Sequence, residues 1–218
     1  TERAKAQTLD NDIGKVVRIE RDGKVPADNP FVGREGARPE IWSYGHRNVQ
    51  GAALHPVNGE LWTHEHGPKG GDELNRVLPG RNYGWPVVSY GVEYSGKTIS
   101  EQGTAPGMEP PVHYWVPSIA TSGMLFYTGN KFPKWSGNAF VGGLASQQLS
   151  RLEMDGNKVK SEEVLLKGVL NQRVRDVEQG PDGYIYLLTD EESLAIRNFL
   201  MKHAADSDQP EGIGMMSK

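Results

Sequence analysis

No cysteine occurs anywhere in the chain, which removes disulfide frameworks, thiolate nucleophiles and cysteine-ligated zinc or iron–sulfur centres from consideration. A basic excess is missing too: 24 Lys and Arg stand against 28 Asp and Glu, for a net charge of −4. Phosphate backbones need a concentrated cationic face, so nucleic acid is excluded as a general partner. Nothing approaches the apolar run of roughly 18 residues that a membrane helix requires, and no membrane span is expected. The opening TERAKAQTLDNDIGK has no apolar centre, so no signal peptide is read in this chain.

Turn chemistry is what the chain has in quantity. Its 27 glycines and 14 prolines among 218 residues suit an all-β protein with many tight turns better than a helical bundle. Self-comparison sharpens this. RIERDGK from Arg18 returns as RLEMDGN from Arg151, and ALHPVNGELWTHEHG from Ala53 resembles VEQGPDGYIYLLTDE from Val177. Each is a β-type run meeting a turn at Asp-Gly or Asn-Gly. A longer version starts at Gly123 and turns at Trp135-Ser136-Gly137-Asn138. Units of about fifty residues predict β-propeller blades. About three blades and one incoming strand can be counted.

The predicted organisation is a partial β-propeller over residues 1–191 and an atypical polar or helical tail over 192–218. In the tail, Leu194, Phe199, Leu200 and Ala204 fall near helical spacing, which leaves a docking helix and a disordered tail as alternatives. The segment from Ser89 to Pro111 reads as a long functional loop.

Several residue types invite chemistry. A strand sends Arg173 and Arg175 to one face, where two guanidiniums are best tolerated with an anion between them; the plainer alternative pairs them with Asp176 and Glu178. His64 and His66 share a strand face, a weak zinc pattern without a third ligand. Gly67-Pro68 offers carbonyl oxygens, and Asp72 and Glu73 follow with carboxylates, a calcium-like donor set or an ordinary Gly-rich turn. Trp85 and Trp115, in or beside turns, are packing residues or a platform for a flat ligand.

In order along the chain, GHRNVQG, EHGPKGGDELN, NYGWP, HYWVPS and QRVRDVEQGPDGYIYLLTDE resemble the soluble aldose sugar dehydrogenases that use pyrroloquinoline quinone, the glucose/sorbosone dehydrogenase family. The resemblance runs from Ala4 to Glu191. It implies a six-bladed β-propeller, of which this chain would supply about three to four blades. It implies cofactor contacts from Arg47, Asn48, His66, Trp115, Ser118, Arg173 and Arg175, and calcium ligands in the Gly67 and Pro68 carbonyls. Glu73 and the Tyr83 carbonyl would form a structural calcium site. Asp72 would orient a general-base histidine.

By order along the chain, none of His46, His55, His64, His66, His113 and His203 corresponds to that base, so the chain alone is expected to be inactive. Ala145 stands where relatives often carry a cofactor-binding lysine. The implied reaction takes an aldose to its lactone at C1, with an external electron acceptor. The resemblance also implies a periplasmic or secreted location. Open strand edges imply self-association or a complementing chain. Two other classes stay open: a calcium-dependent propeller lactonase, and a non-catalytic interaction propeller.

Overall fold

A computed structural model describes residues 2–190, 198–199 and 213–217. The chain divides into two compact units, Thr1–Val49 with Glu60–Ser118, and Gln50–Gly59 with Ile119–Lys218. The described strands fall into four sheets, and the described helix is limited to short 3₁₀ turns at Glu2–Gln7 and Pro133–Trp135. The all-β expectation holds.

The first unit carries strands β1 (Lys15–Val17), β2 (Ile41–Tyr44), β4 (Leu61–Glu65), β5 (Asp72–Arg76) and β6 (His113–Trp115). Strand β3 (Val49–Leu54) opens at its boundary. Antiparallel pairing joins β1 to β2, β4 to β5, and β5 to β6. The predicted strand at Arg18 is only partly right. Strand β1 ends at Val17, and the Asp22-Gly23 turn is closed by the Glu20 amide on the Lys24 carbonyl, 2.8 Å.

Side-chain alternation gives the β4–β5–β6 sheet two chemically distinct faces. Register pairs Glu65 with Glu73 and Glu73 with Tyr114 on one face; Asp72 with Trp115 and His64 with Leu74 lie on the other.

The second unit holds the meander β7 (Thr121–Phe126), β8 (Ala139–Gly143), β9 (Gln148–Asp155) and β10 (Lys158–Leu165), in the order β10-β9-β8-β7. Strands β11 (Val174–Gln179) and β12 (Ile185–Thr189) form the hairpin foreseen at Pro-Asp-Gly. Its core is aromatic and aliphatic, with Tyr127, Phe132, Phe140, Leu149, Ile185 and Leu187 all at 2% exposure or less. Each such side chain is worth about 1.5–3 kcal/mol of burial. The Tyr127 hydroxyl accepts from the Lys131 and Phe132 amides and donates to the Gly183 carbonyl, which ties two turns to the core.

Two tail segments are described, and both are strands. β13 (Asn198–Phe199) pairs antiparallel with β14 (Ile213–Ser217), which runs parallel to β12. Leu194, Leu200, His203 and Ala204 lie outside the described residues.

Candidate ion and cofactor site

The Gly67–Gly71 turn between β4 and β5 is packed backbone against backbone. A Cβ on Gly67 would stand 2.1 Å from the Gly70 carbonyl oxygen, and one on Gly91 would stand 2.2 Å from the same atom. Only glycine admits that approach. Lys69 and Val92 exchange amide–carbonyl bonds of 3.1 and 3.2 Å, and Tyr90 stacks on Tyr114 at 3.9 Å. The start of the long loop is thereby fastened to the turn.

Arg47, Glu65, His66, Gly67, Glu73, Tyr83 and Trp85, with Gly71, Val88 and Ser89, enclose a small pocket. Its volume of about 10 Å³ is room for one water-sized or ion-sized occupant. Six residues singled out in the sequence meet here: Arg47, His66, Gly67, Glu73, Tyr83 and Trp85.

The two carboxylates of this pocket differ in how they are satisfied. Glu65 is 3% exposed and accepts from His46 Nδ1 at 3.1 Å, Asn75 Nδ2 at 3.0 Å, the Asn48 amide at 3.2 Å and the Arg47 amide. A carboxylate has about four acceptor positions, so Glu65 is fully engaged. Burial raises its pKa, but the hydrogen bonds from His46 and the two amides outweigh that and hold it below the usual range.

Glu73 has a single long bond from Asn75, 3.4 Å. Burial first, then the Glu65 and Asp72 charges, push its carboxyl up to about 8. It is the carboxylate with capacity left for a cation. The Tyr83 hydroxyl is committed to the Arg76 carbonyl and the Leu78 amide, and burial pushes its phenol up to about 12.

Arg47 supplies the opposite charge. Its guanidinium lies over Trp85, 5.1 Å to the ring centroid, and Nη1 donates to the His66 carbonyl at 2.9 Å. Its Nε is buried with no hydrogen-bond partner, an unsatisfied donor that an anionic acceptor would complete.

Asp72, Trp115 and Ser118 do not line this pocket. Asp72 is fully buried, accepting from the Gly67 amide at 3.0 Å and the Ser118 hydroxyl at 2.7 Å. It braces the glycine turn from the other face of the sheet. Pro68 is buried within that turn, and His113 packs edge-on against Trp115 at 4.7 Å. Among the described residues no cluster of three or more His, Asp or Glu has metal-holding geometry.

In the second unit, Arg173 and Arg175 do converge on one anion. It is Asp190: Arg175 reaches it with two bonds of 2.7 Å, and Arg173 Nε lies 3.4 Å away. Asp176 and Glu178 are the nearby partners expected from the sequence, but the end of β12 brings Asp190 back to the two arginines instead. Glu65 and Ser43, and the contact His46 makes with both, carry no signal in the sequence and look like ordinary strand and loop positions.

These features define an all-β protein with a pocket for one water-sized or ion-sized occupant, beside an arginine whose Nε has no partner. A sequence model for Glucose / Sorbosone dehydrogenase matches residues 1–198, and the chain belongs to that family. Aldose sugar dehydrogenase YliI of Escherichia coli is 48% identical over 194 residues, 88% of this chain and 52% of that protein. A crystal structure of a glucose dehydrogenase is 54% identical, with a TM-score of 0.84 over 88% of this chain and 56% of that one. The PQQ-bound form of an aldose sugar dehydrogenase from Streptomyces coelicolor is 31% identical, with a TM-score of 0.58 over 75% of this chain and 42% of that one. The chain thus spans about half the length of the curated relatives it matches.

Proposed function

We propose that the protein is a quinoprotein oxidoreductase that oxidises aldose sugars at C1 to lactones and delivers the electrons to an external acceptor. Family membership supports the reaction class, and the PQQ-bound relative supports the cofactor. Within this chain, the observation that carries the reading is Arg47: a guanidinium backed by Trp85, with a buried Nε lacking an acceptor, beside a pocket sized for one ion. A carboxylated quinone next to a calcium ion meets both demands.

In this reading Arg47 and Asn48 hold the quinone's anionic oxygens, with His66, Trp115 and Ser118 flanking it. Arg173 and Arg175 anchor its carboxylates, a role for which Asp190 is the chain's own stand-in. The small pocket takes the structural calcium, held by Glu73 with the Tyr83 carbonyl, and the Gly67 and Pro68 carbonyls face a second calcium that binds with the cofactor. When bound, the quinone supplies hydride acceptance, and calcium polarises it. Asp72 fixes the Gly67 turn and Ser118 and would orient a general-base histidine that is none of the six in this chain. The fold is a six-bladed propeller to which this chain contributes three to four blades, located in the periplasm or secreted.

Thermal unfolding tests the reading directly. Calcium with pyrroloquinoline quinone raises the midpoint, because ligands that bind only the folded state stabilise it. No shift at saturating ligand would count against it. Dye-coupled aldose oxidation against lactone hydrolysis by the full-length protein separates the dehydrogenase from a lactonase.

A further inference from the structure

Ser43, His46 and Glu65 form a buried hydrogen-bonded chain in the first unit. Ser43 Oγ lies 2.8 Å from His46 Nε2, and His46 Nδ1 lies 3.1 Å from Glu65 Oε1. The three residues are 0%, 2% and 3% exposed, and neither Ser43 nor His46 lines the ion pocket. The arrangement has the connectivity of a hydrolytic triad, but a serine without solvent contact cannot meet a substrate. Its output lies at the other end. The second Glu65 oxygen accepts the backbone amides of Arg47 and Asn48.

We propose that His46 is a positioning residue: through the Glu65 carboxylate it sets the backbone of Arg47 and Asn48, and so aims the Arg47 guanidinium. The surrounding bonds make this the adjustable step. His46 is pinned by its amide on the Gly14 carbonyl, 3.1 Å, and Gly45 by its amide on the Ala6 carbonyl, 3.0 Å. The imidazole stacks on Tyr83 at 4.5 Å and 20°, so its ring plane is fixed. With hydrogen on Nδ1 directed at Glu65, Nε2 accepts from Ser43, and each buried polar atom of the chain is satisfied. Glu65 then has one oxygen on the ring and the other on the two amides. The consequence for cofactor affinity rests on the function proposed above; the backbone positioning does not.

Two variants separate the donor from the bulk of the ring. His46→Asn keeps an amide N–H near the Nδ1 position, whereas His46→Gln places its amide near Nε2 and leaves Glu65 without that donor. The first readout is hydrogen exchange at the Arg47 and Asn48 amides in the chain without cofactor. The second is equilibrium titration with pyrroloquinoline quinone in the presence of calcium.

In His46→Gln these two amides exchange faster by about tenfold or more, and quinone affinity falls by a similar factor, as the loss of a bond to a charged group implies. His46→Asn stays within about threefold of the parent on both measures. Equal loss in both variants would mean that the ring matters only as packing under Tyr83, and would overturn the proposal, as would unchanged exchange in His46→Gln. If the parent chain fails to bind the quinone, the proposed function falls, and the exchange pattern still decides the positioning role. Should either His46 variant not fold, Ser43→Ala carries the test: faster exchange at Arg47 and Asn48 supports the relay, and unchanged exchange overturns it.

Discussion

Glu65 and Glu73 stand opposite one another across the β4–β5 ladder, two carboxylates in cross-strand register on the same face of a sheet. Like charges so placed repel, and the four hydrogen bonds on Glu65 assign the burden to its neighbour. Glu73 must take a proton or meet a cation. That asymmetry organises the pocket and yields the first two predictions.

Without divalent cations Glu73, held near 8, is mostly protonated at pH 7, and Glu73→Gln imitates that form. In chelator the substitution costs less than about 1 kcal/mol. With calcium the parent gains about 2.7 kcal/mol at a hundred times the dissociation constant, and the variant does not. Calorimetric scans with and without calcium check this; a full calcium response in Glu73→Gln would remove Glu73 from the ion site.

Glu65→Gln behaves differently. It breaks a buried, fully satisfied anion, turning an acceptor into a donor that faces His46 or the Arg47 and Asn48 amides. A loss of about 2–4 kcal/mol follows, with and without calcium. Urea unfolding measures it, and a cost that disappears on adding calcium would contradict the structural role.

The glycine turn gives a third prediction. Gly91→Ala drives a methyl to 2.2 Å from the Gly70 carbonyl oxygen and costs more than about 2 kcal/mol. Gly96 is a useful control, with φ of +88° and nothing within 4 Å of a Cβ; there alanine costs only the left-handed strain, about 1–2 kcal/mol. Equal unfolding midpoints for the two variants would show that the turn does not depend on that close approach.

What the sequence disclosed follows from what is local. Hairpins at Asp155-Gly156 and Pro181-Asp182 were legible because turn chemistry and period-2 alternation lie within a few residues. Arg47, His66, Gly67, Glu73 and Tyr83 were singled out through motif resemblance, but not Glu65, nor the division of the candidate residues between two sheet faces. That division depends on Glu65 pairing with Glu73 and Asp72 with Trp115, and the second pairing spans 43 positions that no local pattern reports. Asp190 escaped notice for the same reason: only the β11–β12 register, which sets Val174 beside Thr189, returns it to the two arginines.

Those arginines carry the last prediction. Arg173 and Arg175 have side chains 54% and 44% exposed, and exposed ion pairs contribute little to stability. Replacing both with alanine should therefore cost about 1 kcal/mol or less in unfolding. Hydrogen bonds to a charged ligand are worth about 1.5–3 kcal/mol each, so losing two of them should weaken quinone binding by roughly two to four orders of magnitude. Sugar affinity of the full-length enzyme, measured with cofactor saturating, should change far less. The contrast is the test: a double variant that binds quinone normally, or loses sugar and quinone affinity to the same degree, would leave Arg173 and Arg175 as surface partners of Asp190 and nothing more.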